Sequence, residues 1–179
     1  GRFADVLAIA SSNANTDVAM MGATFQKVAP VAGALGYTVE DMSLGIGLMA
    51  NASIKAEVAG TSLKTALSNM AKPTKQMKAY MDKYGISLTN TDGSMKSFAE
   101  VVDNLRNSLG GLSQVEQVAA ATAIFGKESY AGMLAIVNAS EEDFNKLSDS
   151  VNNAKGAAER MAAIKLDNLE GDLTLMKSA

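Results

Sequence analysis

The pair Glu128-Ser129, with Gly132-Met133 just downstream, is the sharpest candidate for catalysis in this 179-residue chain. A carboxylic acid held protonated there would be of the kind that protonates a glycosidic oxygen. That requires an apolar surround to raise its pKa, whereas Glu128 follows Lys127 in an exposed-looking context. Two glycine groups, Gly33-Ala-Leu-Gly36 and Gly45-Ile-Gly47, invite a phosphate-cradling reading. Neither follows an expected strand or carries the lysine that would neutralise a phosphate, so close helix packing is the better account. Lys64, Lys72, Lys75, Lys78 and Lys83 form the one basic cluster, which suits either phosphate contact with a passing DNA strand or a solvated helix face. Tyr80 and Tyr84, spaced by four, could stack on bases but equally fit core packing. The acidic run Glu141-Glu142-Asp143 falls in the first turn of a helix, where negative charge meets unpaired amides. A calcium loop would need spaced ligands and a glycine turn instead.

Composition narrows the chemistry further. The chain has no histidine and no cysteine, which removes the usual general base near neutral pH, the commonest metal ligand and all thiolate chemistry. No catalytic, cofactor-binding or metal-binding residue is assigned, no cofactor is expected, and the chain reads as non-enzymatic. Sixteen basic and 19 acidic residues leave a net charge of −3, with no global attraction to nucleic acid or acidic membranes. The longest charge-free stretch, Met42 to Ile54, is well short of the ~20 residues that a membrane-spanning helix needs. Eleven methionines suit gap-filling in a core of small residues, or a soft binding surface.

The elements that must position these residues are helices. Only two prolines occur, and apolar residues recur at spacings of three and four almost throughout, so the fold is expected to be all-α: a compact bundle of about nine short helices. Val18, Met21, Phe25, Val28, Ala32 and Leu35 share one face of a helix that Pro30 should kink. Four later starts carry a hydroxyl followed by an acid three residues on, the pattern of a capping box: Thr38/Asp41, Ser97/Glu100, Ser113/Glu116 and Ser140/Asp143. Behind them run the stripes Met42, Ile46, Met49; Phe98, Val101, Leu105, Leu109; Val115, Val118, Thr122, Phe125; and Phe144, Leu147, Val151. Between them, Val58 to Met70 makes a helix ended by Lys72-Pro73, and Thr74 to Tyr84 makes one closed by Gly85 as a left-handed cap. Ile86-Ser87-Leu88 alternates ahead of Asp92-Gly93 and Ser94-Met95, which predicts a small β-hairpin over residues 86–96.

From Gly156 the pattern changes. Leu166, Leu169, Leu173 and Met176 fit a coiled-coil seam, which Gly171 weakens by about 1 kcal/mol. Two units are therefore expected: a helical module over residues 1–155, and the start of an extended helix over 156–179. The first residues, Gly1-Arg2-Phe3, begin directly in a helical pattern and the last stop within one, so the chain reads as excised from something longer.

Val28-Ala-Pro-Val-Ala-Gly-Ala-Leu-Gly36, Glu40-Asp41, Gly47-Leu-Met-Ala-Asn-Ala52, Gly60-Thr-Ser-Leu-Lys-Thr-Ala-Leu67 and Lys72-Pro73-Thr74 follow one another in an order that resembles the core of bacteriophage tail tape-measure proteins. Gly85-Ile-Ser87, Asp92-Gly93, Gly111-Leu112-Ser113, Ala123-Ile-Phe-Gly126 and Met133-Leu134 continue it, so the resemblance covers roughly residues 16 to 160. It implies a structural protein of the virion, made in the host cytoplasm, that fills the tail lumen, sets tail length and later helps DNA into the host. The implied partners are the tail tube protein, tail assembly chaperones and tail tip or baseplate proteins. A homo-oligomer and transient contact with DNA or the host membrane are also compatible with it. The runner-up is a membrane-active module whose amphipathic helices, such as Val18 to Leu35, leave the bundle during genome entry. A cell-wall hydrolase domain is a remote third: Glu128-Ser129 superficially resembles the Glu-Ser of lytic transglycosylases, but the Gly-Leu-Met-Gln element of that family is absent downstream.

Overall fold

Six of the helix starts are set by hydroxyl or carboxylate caps. In the computed structural model, which describes residues 2–158, Asp17 accepts from the Met20 amide at 2.8 Å and opens α2. Reciprocal boxes at Thr38/Asp41, Ser97/Glu100 and Ser113/Glu116 open α3, α6 and α7 as expected. Thr74 caps α5 through the Met77 amide, and Ser140 accepts from the Asp143 amide at the start of α9. Each such cap satisfies a backbone N–H that the helix itself leaves unpaired, and is worth about 1 kcal/mol.

Among the described residues there are nine helices and no sheet: α1 (Arg2–Ser12), α2 (Val18–Ala34), α3 (Val39–Asn51), α4 (Ala56–Ala71), α5 (Lys75–Tyr84), α6 (Phe98–Leu109), α7 (Gln114–Phe125), α8 (Tyr130–Val137) and α9 (Glu141–Ala158). The all-α expectation holds. Helix α3 is the axle of the bundle, buried on almost every side from Val39 to Ala50. It touches α1, α2, α4, α6, α8 and α9, as an apolar-all-round helix must. Helix α2 lies most extensively against α4, burying Met21, Phe25, Val28 and Ala32 completely. It runs through Pro30 as one element; the carbonyl that Pro30 leaves without a donor belongs to exposed Gln26 and can be met by water.

Glycines set how closely these helices pack. A Cβ at Gly60 would stand 2.7 Å from the Thr24 carbonyl and from Lys27 Cβ of α2. At Gly47 it would meet Leu147 of α9 at 3.0 Å, and at Gly45 Phe98 of α6 at 3.2 Å. The Gly45-Ile-Gly47 pair is thus a double packing notch in mid-helix, and Gly33-Ala-Leu-Gly36 ends α2 rather than opening a helix towards a phosphate. Gly85 closes α5 with φ 67 and ψ 37, as its type and place predict. Met21, Met42, Met49, Met70, Met81 and Met133 are buried, so the methionines mostly fill the core.

The expected hairpin over residues 86–96 does not form. What exists is a single antiparallel bridge, Thr89 to Met95, around a three-residue loop in which Asn90 N–H donates to the Ser94 carbonyl and Gly93 N–H to that of Asn90. Gly93 takes the left-handed conformation, at φ 88, and Asp92 does not. Side chains take over the backbone bonding: Asp92 accepts from the Ser94 amide and hydroxyl at 2.9 and 2.6 Å, and Ser87 from the Thr89 amide at 3.0 Å. Such local bonds compete with a ladder, and a two-stranded ladder is marginal to begin with. Ile86 and Leu88 still bury, anchoring the loop on the core.

The expected boundary at 155/156 falls inside α9, whose Leu147 is fully buried and whose Val151 is 8% exposed. The seam Leu166, Leu169, Leu173 and Met176 lies outside the described residues.

Candidate interaction surface

The residues with chemical potential are not brought together. Glu128 and Lys127 are exposed, and the Glu128 backbone carbonyl accepts from the Ser62 hydroxyl at 3.3 Å. The neighbouring Ser129 is fully buried, with its hydroxyl unpartnered, so acid and hydroxyl point into different environments. Among the described residues no group of three or more carboxylates stands together as metal ligands would. Lys64, Lys72, Lys75, Lys78 and Lys83 are all exposed, and Lys78 pairs with Asp82 at 3.0 Å. Tyr80 and Tyr84 pack against the core while Lys83 sits 6.0 and 5.2 Å from their ring centres; neither ring is a free stacking platform. Glu141 and Glu142 project into solvent from the first turn of α9.

What the bundle does leave open is one face of α7. Its expected inward stripe was Val115, Val118, Thr122 and Phe125, but Val115 is 80% exposed and Val118 44%. The helix instead turns Gln117, Ala120, Ala121, Ile124 and Phe125 inward. The reason is a polar anchor. Gln117 donates to the Leu109 carbonyl at 2.9 Å, closing the end of α6, and exchanges two amide bonds with Asn138 at 3.0 and 2.9 Å. Burying the Gln117 amide with these partners fixes the rotation of α7, because a buried amide without partners would cost about 1–3 kcal/mol. The outward residues Val115, Val118, Ala119, Thr122 and Ala123 then form a shallow apolar trough, with spacings of three and four like those of a helix-packing seam.

Two residues that the sequence reading passed over hold this side of the bundle. Gln117 is one. Arg106 is the other: its guanidinium donates to the Ile136 and Val137 carbonyls at 2.9 and 3.4 Å, at the end of α8. It also lies 4.7 Å from the Phe144 ring centre of α9, so one cation ties α6, α8 and α9 together. The available signal was slight: a lone basic residue in the last turn of α6, where orphan carbonyls cluster.

No described helix is long and apolar enough to cross a membrane. The model of a phage-related minor tail protein family matches residues 1–126. Over its whole length the chain is 37% identical to 16% of the tape measure protein of Pneumococcus phage Dp-1. Over 98% of its length it is 26% identical to 22% of the probable tape measure protein of Escherichia phage P2. It therefore spans about a sixth to a fifth of these relatives. No solved structure matches it. With most of its length inside the family model and all of it aligned to a 37%-identical relative, the chain belongs to the phage-related minor tail protein family, as a segment of tape-measure type.

Proposed function

We propose that this chain is the folded assembly module of a tape-measure protein, structural rather than catalytic. It would work inside the tail lumen with tube, chaperone and tip proteins, in a protein that sets tail length and later assists DNA passage. The supporting observation is its architecture: nine short helices close on one core instead of running on as a rod. A straight helix advances about 1.5 Å per residue, so a chain folded back eight times measures little length for its mass. Residues up to about 155 are then the docking and assembly unit, and those from 156 lead into the ruler. The exposed α7 trough offers this module an apolar surface for a partner.

The test is an in-frame deletion of residues 16–155 from the parent protein, compared with deletion of an equally long downstream piece, with tail lengths measured by electron microscopy. Loss of tails or irregular lengths for the first and uniformly shorter tails for the second supports the proposal. Equal shortening by about 1.5 Å per residue in both would make this segment ruler and overturn it.

The membrane-active reading has to contend with α2, whose Met21, Phe25, Val28 and Ala32 are fully buried in the core. It requires the bundle to open. Leakage of dye-loaded anionic liposomes by the 179-residue chain would favour it, and intact vesicles would count against it.

A further inference from the structure

The reversal between α3 and α4 is built unlike the other turns. Left-handed backbone elsewhere among the described residues falls on Gly36, Gly85, Gly93 and Gly126, but here it falls on Ser53, at φ 66, and Ala56, at φ 52. Ser53 sits where glycine normally ends a helix: its N–H donates to the Ala50 carbonyl at 2.9 Å and that of Ile54 to Met49 at 3.0 Å, the bond pair of a Schellman close. A Cβ disfavours that conformation. The start of α4 is equally unmarked. Its N-cap is Lys55, a residue with no side-chain oxygen to cap with, and like Ser129 before α8 it makes no side-chain cap bond, while α2, α3, α5, α6 and α7 begin at Asp17, Thr38, Thr74, Ser97 and Ser113, all of which cap.

The local sequence argues for no break at all. Residues 48–59 read LMANASIKAEVA, without glycine or proline and rich in alanine, leucine, methionine, lysine and glutamate, the residues that favour helix most. Here local preference and global fold conflict. The contacts of α4 with α2, above all the Gly60 crossing and the 2.7 Å bond from the Thr24 hydroxyl to the Ala56 carbonyl, hold the chain folded back.

From this conflict we propose that the α3–α4 reversal is a domain-swapping hinge, and that its partner is a second copy of this chain. In the exchanged form Val39–Ala71 becomes one straight helix about 50 Å long. Residues up to Asn51 of each copy then pack on residues from Glu57 onward of the other. The crossings at Gly60, Gly47 and Gly45 are remade between copies, so the core is conserved. What changes is the release of Ser53 and Ala56, the gain of helical bonds across residues 52–58, and an association cost that falls with concentration. Strained short hinges are known to promote such exchange. The inference does not depend on the α7 trough or on the assembly role.

The 179-residue chain is refolded from denaturant over a range of concentrations, and monomer and dimer are separated by size-exclusion chromatography with light scattering. Hydrogen exchange is then followed in each. A slowly dissociating dimer is expected, in which the Ala56, Glu57 and Val58 amides exchange at least about tenfold more slowly than in the monomer, because they now have helical acceptors. The double substitution Ser53→Gly, Ala56→Gly should lower the dimer association constant by roughly a hundredfold or more, since both copies carry both sites. Ser53→Ala should raise it. Absence of a dimer at every concentration overturns the proposal. So does a dimer with unchanged exchange at 56–58, one abolished by Val118→Glu, or one indifferent to the glycine pair.

Discussion

Helices α6 and α7 are of equal length, begin with the same Ser-x-x-Glu box and differ in what their neighbours make of them. In α6 the expected stripe is the buried one: Phe98, Val101, Leu105 and Leu109 are at most 3% exposed. Its other face carries Glu100, Asp103 and Asn107, all exposed, so only one rotation keeps those charges in water. Helix α7 has apolar or small residues nearly all round, and several rotations bury similar area. The Gln117 network with Leu109 and Asn138 decides among them, turning Val115 and Val118 outward. A strongly two-faced helix specifies its own orientation; a uniformly apolar one has it assigned by a few polar bonds.

The largest effect should come from Leu105→Ala, which opens a cavity on the buried face of α6 and should cost about 2–5 kcal/mol in chemical denaturation. A loss below about 1 kcal/mol would mean α6 is not clamped as described. Next is alkaline pH, felt where Tyr37, in the turn before α3, packs edge-on against Phe98 of α6 at 5.5 Å. Burial, with the Asp41 charge beside it, pushes the Tyr37 hydroxyl up to about 12. Unfolded chain ionises near 10 while the folded state does not. Stability is therefore intact below pH 10 and should fall, by on the order of 2 kcal/mol, as pH rises from 10 towards 12. Tyr37→Phe should flatten that part of the curve, and an unchanged curve would show Tyr37 is not its source.

Gln117→Leu sharpens the comparison most directly. It leaves the buried Leu109 carbonyl without its partner, at a cost of about 1–3 kcal/mol, while exposed Asn138 can turn to water. It also frees α7 to rotate, so amide exchange along α7 should rise more than along α6. Ser97→Ala and Ser113→Ala should each cost about 1 kcal/mol. Similar losses are expected because the two boxes are alike, and a large difference would show that one helix start is held by tertiary contacts instead. Smallest of all, Val118→Ser should shift stability by no more than about 0.5 kcal/mol. A loss of 2 kcal/mol or more would return Val118 to the core and remove the interaction surface.

The candidate surface was the least legible part of the molecule. Val115 and Val118 looked like core because they are valines at helical spacing behind a cap. Only their neighbours in space show that the core side was already taken by Ala120, Ala121, Ile124 and Phe125. At Glu128 the exposed context that Lys127 suggests is the one the fold gives it. The hairpin stopped at one bridge for a local reason: Asp92 claimed the Ser94 amide that a longer ladder would have paired with Asn90.

By itself, then, the sequence determined the helical class, the capped starts at Thr38, Ser97, Ser113 and Ser140, and the left-handed stop at Gly85. Each of these is a contest between a side chain and the backbone within four residues. Tertiary structure alone decided which way α7 faces, where Arg106 reaches, and why α3 and α4 part at Ser53. These choices follow from area buried and polar groups satisfied across distant segments, such as Gly60 against Thr24 and Gln117 against Asn138. Local preference at those positions is either neutral or opposed to the fold.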